Sequence, residues 1–350
     1  MSLIGGAVVF VGAVFIYNKW HERKARKSVE RAFSSEHDDV LMRAGAVPEA
    51  RHEPSFAPGS AGSAQQEPPA PGQAPASDGA MSPAELATGL VDPLIDCLIP
   101  LALESAVLGD KILPVLHSLR HVGNKPVHYI GLHVNGDWEP ITHGGVYTRL
   151  QVGVQMASRS TALNELEYSE LVTRLRTLAD NIGAEPEIPD MIEVMAEARA
   201  LHRFVAGHDA QLGVNLMSNG APWAISTLIG ALEKQGFDVR PDGRYAMPDG
   251  DGGVLFTLST NVTLGADTTS HLTLLLDVPV VAPARDGFGS MVACARTLVA
   301  RLDATIVDDS NAPLLDAALA EITGQVHAFY EEMAAADIPA GSMRALRLFS

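Results

Sequence analysis

Four histidines, His117, His121, His128 and His133, lie near one another in the sequence, and imidazole is both a common metal ligand and a ready acid–base group. His117 and His121 stand four apart, a separation that puts two ligands on one face of a helix. His128 and His133 stand five apart in an alternating segment, which points them to opposite faces of a strand. No cysteine or carboxylate completes a set beside them, so no metal site is expected. Cys97 and Cys294 sit far apart in apolar surroundings and read as small buried hydrophobes of a reducing compartment. Asp308-Asp309 reads as a turn that caps the last helix, not as a pair of catalytic carboxylates. There is no phosphate-binding P-loop and no G-x-G-x-x-G after a strand, and Gly287 to Met291 has the wrong order for a nucleophile elbow. The residues therefore carry no catalytic constellation and no cofactor motif, and the expectation is a protein that is not an enzyme.

With chemistry absent, binding becomes the question, and charge narrows it. The chain of 350 residues has a net charge of −17, and such a surface repels phosphate backbones, which argues against nucleic acid as a partner. The one basic stretch follows an uncharged apolar run. Leu3 to Tyr17 precede Lys19, Arg23, Lys24, Arg26, Lys27 and Arg31, with Tyr17 and Trp20 at the boundary. This pattern predicts a single transmembrane anchor over 1–20 and a basic juxtamembrane segment over 21–33. The positive-inside rule leaves the N-terminus periplasmic and the rest cytoplasmic.

From 34 to 90 the sequence fills with Pro, Ala, Gly, Ser and Gln, too little apolar surface to offset the entropy of ordering it. A disordered linker is expected there, with a reach of roughly 40 Å for about 55 flexible residues.

Periodicity returns near Leu90 and follows one plan twice, predicting a first α+β repeat over 91–208 and a second over 209–350. Each begins with an alternating strand (Ile99, Leu101, Leu103; Leu212, Val214, Leu216) that runs into a helix (Ser105 to Val122; Ala221 to Gln235). Further strands follow: His128 to Val134 and Val146 to Met156, then Val254 to Val262 and His271 to Val281. Each copy then carries a long helix with the same tripeptide, Arg176-Thr177-Leu178 or Arg296-Thr297-Leu298, and a last helix with His202-Arg203-Phe204 or His327-Ala328-Phe329. The expected fold class is α+β, two tandem split β-α-β repeats whose antiparallel sheets are covered by helices on one face.

The uncovered faces are the candidate binding surfaces. In the second repeat the outward set is Gly213, Asn215, Met217, Leu255, Thr257, Ser259, Asn261, Thr273, Leu275 and Asp277, with Met217, Leu255 and Leu275 as apolar anchors. In the first it is Leu98, Pro100, Ala102, Tyr129, Gly131, Tyr147, Gln151 and Gly153, with Trp138 in the connecting segment.

The layout and several strands resemble the ZipA family of bacterial division factors. Gln211-Leu-Gly-Val-Asn215 is similar to the family's first strand, and Gly253-Val-Leu-Phe-Thr-Leu258 to its central one. Leu272 to Pro279 resembles the strand that closes with Val-Pro, and Ala304-Thr-Ile-Val-Asp-Asp309 the segment before the last helix. The resemblance implies a membrane-tethered adaptor at the division site of the inner membrane. Its exposed sheet face would hold the C-terminal tail of FtsZ. The positions matching the family's groove are Gly213, Asn215, Ser259, Asn261, Thr273 and Leu275, where small polar residues stand in place of the family's larger apolar ones. Either the first repeat's aromatic face, through Tyr129 and Trp138, supplies the missing contacts, or it serves another partner. The other reading left open is a membrane-anchored sensor with a small ligand between the two repeats. Asp337-Ile338-Pro339-Ala340 resembles FtsZ tails themselves, and two placements are open for it: packing on its own domain, or docking on a sheet face in competition with the partner.

Overall fold

The computed structural model describes residues 82–262 and 266–350, which fall in one compact unit. The expected anchor, the basic segment and most of the linker lie outside the described residues. No helix among the described residues is long and apolar enough to cross a membrane.

The last stretch of the expected linker is a helix, α1 (Pro83–Leu90). Ser82 and Glu85 form a complete capping box and Pro83 opens the first turn, so local chemistry starts a helix despite the Pro- and Ala-rich context. Strand β1 (Asp96–Leu108) follows. It continues through a register shift between Ala102 and Val107 to pair Val107 and Leu108 with Tyr147 and Val146. The helix expected from Ser105 therefore begins only at Gly109, as α2 (Gly109–Leu116), because the cross-strand ladder claims the residues before it. His117 is the residue that caps α2, and His121 lies in β2 (His121–Val122), so the two do not share a helical face. The rest of the first module is β3 (Lys125–His133), β4 (Trp138–Pro140), β5 (Val146–Gln155), α3 (Glu165–Ile182), β6 (Ala184–Pro186) and α4 (Met191–Gly207). The Asn164 and Glu167 capping box starts α3, and Gly183 ends it at φ 68°, a left-handed turn that glycine adopts without strain.

The second module runs β7 (Gln211–Ser218), β8 (Trp223–Ala224), α5 (Ile225–Glu233), β9 (Asp238–Val239), β10 (Tyr245–Pro248), β11 (Val254–Ser259), β12 (Thr268–Thr269) and β13 (His271–Asp277). It closes with α6 (Gly287–Leu302), β14 (Ala304–Val307), α7 (Asp316–Ala335) and α8 (Met343–Leu348). The helix expected over Ala221 to Gln235 is shorter because Trp223 and Ala224 pair with β12.

Both large sheets are antiparallel. The first is ordered β2-β3-β5-β1-β6 with β4 also on β3, and the second β9-β10-β11-β13-β7-β14. In each, the opening strand lies between the return strand and a short edge strand, with a hairpin on the far side. Two apolar cores lie between sheet and helices. One joins Ile99, Leu101, Val152 and Val154 to Leu171, Leu175 and Leu178 of α3. The other joins Val214, Leu216, Phe256, Leu258, Leu272, Leu274 and Leu276 to Met291, Ala295 and Leu298 of α6.

The C-terminal segment 337–349 belongs to the second core, with Ile338, Ala340, Leu348 and Phe349 buried there and Gly341 donating its N–H to Pro279. The segment thus packs on its own module, on the core side. From there α8 grips the start of the first module. Arg347 donates to both oxygens of the fully buried Asp96 carboxylate and to the carbonyl of Leu90, and Arg344 donates to Asp92. Gln155 donates to the Arg347 carbonyl at 2.9 Å, and Arg159 pairs with Asp277 at 2.7 Å. These groups bridge the two modules at their junction.

Candidate functional site

The outer face of the second sheet is built by strict alternation. Leu272, Leu274 and Leu276 are fully buried, which turns Thr273 and Leu275 outward. Across the ladder, Leu275 lies opposite Gly213 on one side and Thr257 on the other, and Thr273 lies opposite Asn215 and Ser259. Two lanes result. One is small and apolar, with Gly213 and Leu275 side by side and only van der Waals space above Gly213.

The other lane is polar and internally wired. Ser259 Oγ donates to Asn261 Oδ1 at 2.9 Å, Asn261 Nδ2 to Thr273 Oγ1 at 2.7 Å, Thr273 Oγ1 to Asn215 Oδ1 at 2.6 Å, and Asn215 Nδ2 to Asp309 Oδ1 at 2.9 Å. This relay unites four of the residues picked from sequence and adds Asp309, which sequence reasoning assigned only to a turn. Asn261 holds its place at φ 55°, a left-handed conformation that asparagine tolerates better than most residues. Each hydrogen bond is worth about 1 kcal/mol net, but together they fix five side chains that would otherwise have to be ordered on binding. Each amide still has one N–H unspent, so the lane offers donors beside the Leu275 methyls.

Met217 is half-buried opposite His271 and Thr305. Leu255 falls at the register shift between β10 and β11 and packs against the second core, which removes it as a free anchor. Asp308 accepts from the N–H groups of Ser310 and Ala312 and so closes a turn; it does not cap α7, whose N-cap is Leu315.

The first sheet differs from the expected register. Its outer face carries Leu98, Gly153 and His128 in one row, Pro100, Gln151 and Ile130 in the next, then Ala102, Arg149 and Leu132. Tyr129 and Gly131 lie one residue off, on the helix-covered face with Val152 and Leu150, and Tyr147 is buried in that core too. The Tyr129 hydroxyl donates to the Leu119 carbonyl at 2.7 Å, and burial pushes its pKa up. Tyr129 therefore packs against the first core and is not on the outer face where sequence placed it. Tyr129→Phe should cost about 1 kcal/mol in urea unfolding. Tyr129→Asp should unfold the first module by circular dichroism, because it buries an unpaired carboxylate.

Trp138 is on β4, half-buried in a separate cluster with Ile130, Leu98 and the α1 residues Ala87 and Leu90. Part of the outer face that sequence left open, around Leu98 and Ile130, is thus covered in this module by the chain itself, while Pro100, Ala102 and Arg149 stay exposed.

His117, His121 and His128 line one open pocket of about 330 Å³ together with Leu113, Leu116, Val127, Tyr129 and Ile141. Among the described residues no group of three or more His, Cys, Asp or Glu could hold a metal ion. Burial, then the nearby Arg347 charge, lowers the His128 pKa to about 4. His128 is therefore neutral in the fold at a pH where the unfolded chain binds a proton, so the stability it contributes is present above about pH 6.5 and is lost as pH falls toward 4. Because the ring is part-exposed, screening reduces the effect to about 1–2 kcal/mol. His128→Asn should flatten the fall in unfolding free energy between pH 7 and pH 5, roughly the range in which an unperturbed histidine titrates. Burial also drives the Cys97 and Cys294 thiols up to about 12 and about 11, so neither is a thiolate nucleophile at neutral pH.

No curated protein matches the chain. One family does: residues 210–325, which hold both lanes of the open sheet face and Asp309, match the ZipA C-terminal FtsZ-binding domain, and through that segment the chain resembles ZipA.

Proposed function

We propose that this protein is an adaptor of bacterial cell division that holds the C-terminal tail of FtsZ on the outer face of its second sheet and ties FtsZ polymers to the inner membrane. The observation that carries the reading is the open face itself. Within the matched segment, an uncovered strip with Leu275 and Gly213 runs beside a prewired polar lane, a geometry suited to strand addition and side-chain recognition without any covalent step. Gly213, Asn215, Met217, Ser259, Asn261, Thr273 and Leu275 form the proposed contact set, with Asp309 added.

Membrane anchoring rests on the apolar run Leu3 to Tyr17 and the basic cluster behind it, which favour an N-terminus outside and the sheets inside. The shared strand order of the two sheets supports reading the first module as a second copy of the fold. Many weak contacts along a polymer add by avidity, so micromolar affinity at each site suffices. Titrating the protein with the FtsZ tail peptide of the same organism tests the reading. Saturable binding of one tail per chain is expected, and no binding up to about 1 mM peptide removes it.

A further inference from the structure

We infer that the outer face of the first sheet is a second peptide groove and that α1 is its resident occupant, which closes it until a foreign segment displaces it. The inference rests on the reading that the outer sheet face is the docking side of this fold.

Three observations carry it. First, the two sheets share a strand order, yet only the first has a segment of the chain seated on this face, over its Leu98–Ile130 end, while Pro100, Ala102 and Arg149 stay exposed. On the first, Ala87, Leu90 and Val91 cover Ile130, Leu98 and Trp138 in an apolar cluster separate from both main cores. Second, the fit is close where a ligand would lie. A Cβ added to Gly153 would come within 2.9 Å of Val91, whereas the nearest atom to one on Gly213 of the open face is 3.9 Å away. Third, the helical part of the cover is small, and Arg347 holds it only at its end, through the Leu90 carbonyl. Only Ala87 of α1 itself is buried, Leu86 is 43% exposed, and the helix depends for its start on the Ser82–Glu85 capping box.

The residues that α1 and its C-cap place on the face also state what it accepts, a short apolar segment with small and branched side chains. The competing segment is the same tail that binds the second sheet. The closed form offers one docking face per chain and the open form two.

The test uses the full chain and the FtsZ tail peptide, with calorimetric stoichiometry and tryptophan emission as readouts. Ala87→Asp puts a charge under α1. It should shift Trp138 emission to the red, a change absent when Trp138→Phe is added, and should raise stoichiometry from one tail per chain to two. Ser82→Ala with Glu85→Ala weakens the helix start without touching the sheet. This pair should tighten the second binding event about tenfold, and it serves if Ala87→Asp fails to fold. A red shift with stoichiometry still at one overturns the inference, as does an unshifted Trp138. A wild-type chain that binds no tail removes the underlying reading instead, so the two failures are distinct.

Discussion

Replacing Arg347 by Ala should cost about 3–5 kcal/mol of unfolding free energy at pH 7, a large part of what a domain of this kind has. The reason is Asp96. Its side chain is fully buried, burial raises its pKa, and the Arg347 guanidinium opposes that rise through two hydrogen bonds to its carboxylate. Without Arg347 the carboxylate is left in the protein interior with only the Asp92 N–H, at 2.8 Å. The sign of the pH dependence follows from the raised pKa. The penalty applies while Asp96 must ionise, so it is largest at neutral pH and shrinks as pH falls below about 4, where the unfolded chain is protonated too. Urea unfolding at pH 7 and near pH 4 should show the difference between Arg347→Ala and wild type narrowing. Arg347→Met with Asp96→Leu, which removes both charges and keeps volume, should recover most of the loss at pH 7. A single-charge variant as stable as wild type would mean that the junction does not depend on this pair.

The second large effect concerns binding. Leu275→Asp should weaken the FtsZ tail at least about 30-fold, the scale of a central apolar anchor, while leaving the fold intact. Leu275 points away from the buried Leu274 and Leu276 and belongs to neither core, so the substitution sets a carboxylate on an open face. Thr273→Val separates anchor from relay. It strands the Asn261 amide and the Asn215 oxygen at once, so about 1–2 kcal/mol of stability should go with it, whereas Thr273→Ser should retain both bonds. Equal affinity in Leu275→Asp and wild type, measured by titration, would place recognition elsewhere.

The second sheet was readable from sequence because helices press on only one of its faces. β7, β11 and β13 alternate cleanly, and the register follows from Val214, Leu216, Phe256, Leu258, Leu272 and Leu274 alone. β3 was not. Val127 and Tyr129 point one way, Ile130 and Leu132 the other, and all are apolar because α3 lies on one side and α1 reaches over the other. Period two cannot choose between two apolar faces, and the reading slipped by one residue. The signal for α1 was present in Ser82-Pro83-Ala84-Glu85, a capping-box sequence with proline at the first helical position, but the surrounding composition outweighed it. Ser105 to Leu108 has apolar spacing that continues into α2, and only pairing with Val146 and Tyr147, far along the chain, makes it strand. The relay lay beyond sequence reasoning altogether, since it needs a left-handed Asn261 and a turn that brings Asp309 beside Asn215.

The grip of α8 on Leu90, Asp92 and Asp96 has a mechanical consequence. Tension applied at Ser82 would run along α1, which packs on Ile130 and Trp138 of the first sheet, and reach the two arginines at Leu90, Asp92 and Asp96. From Arg344 and Arg347 it would pass into α8 and the second module's core, which backs the sheet whose other face carries the open strip. A pull on the N-terminal side of α1 would therefore load both modules at once, the first through the α1 contacts and the second through α8.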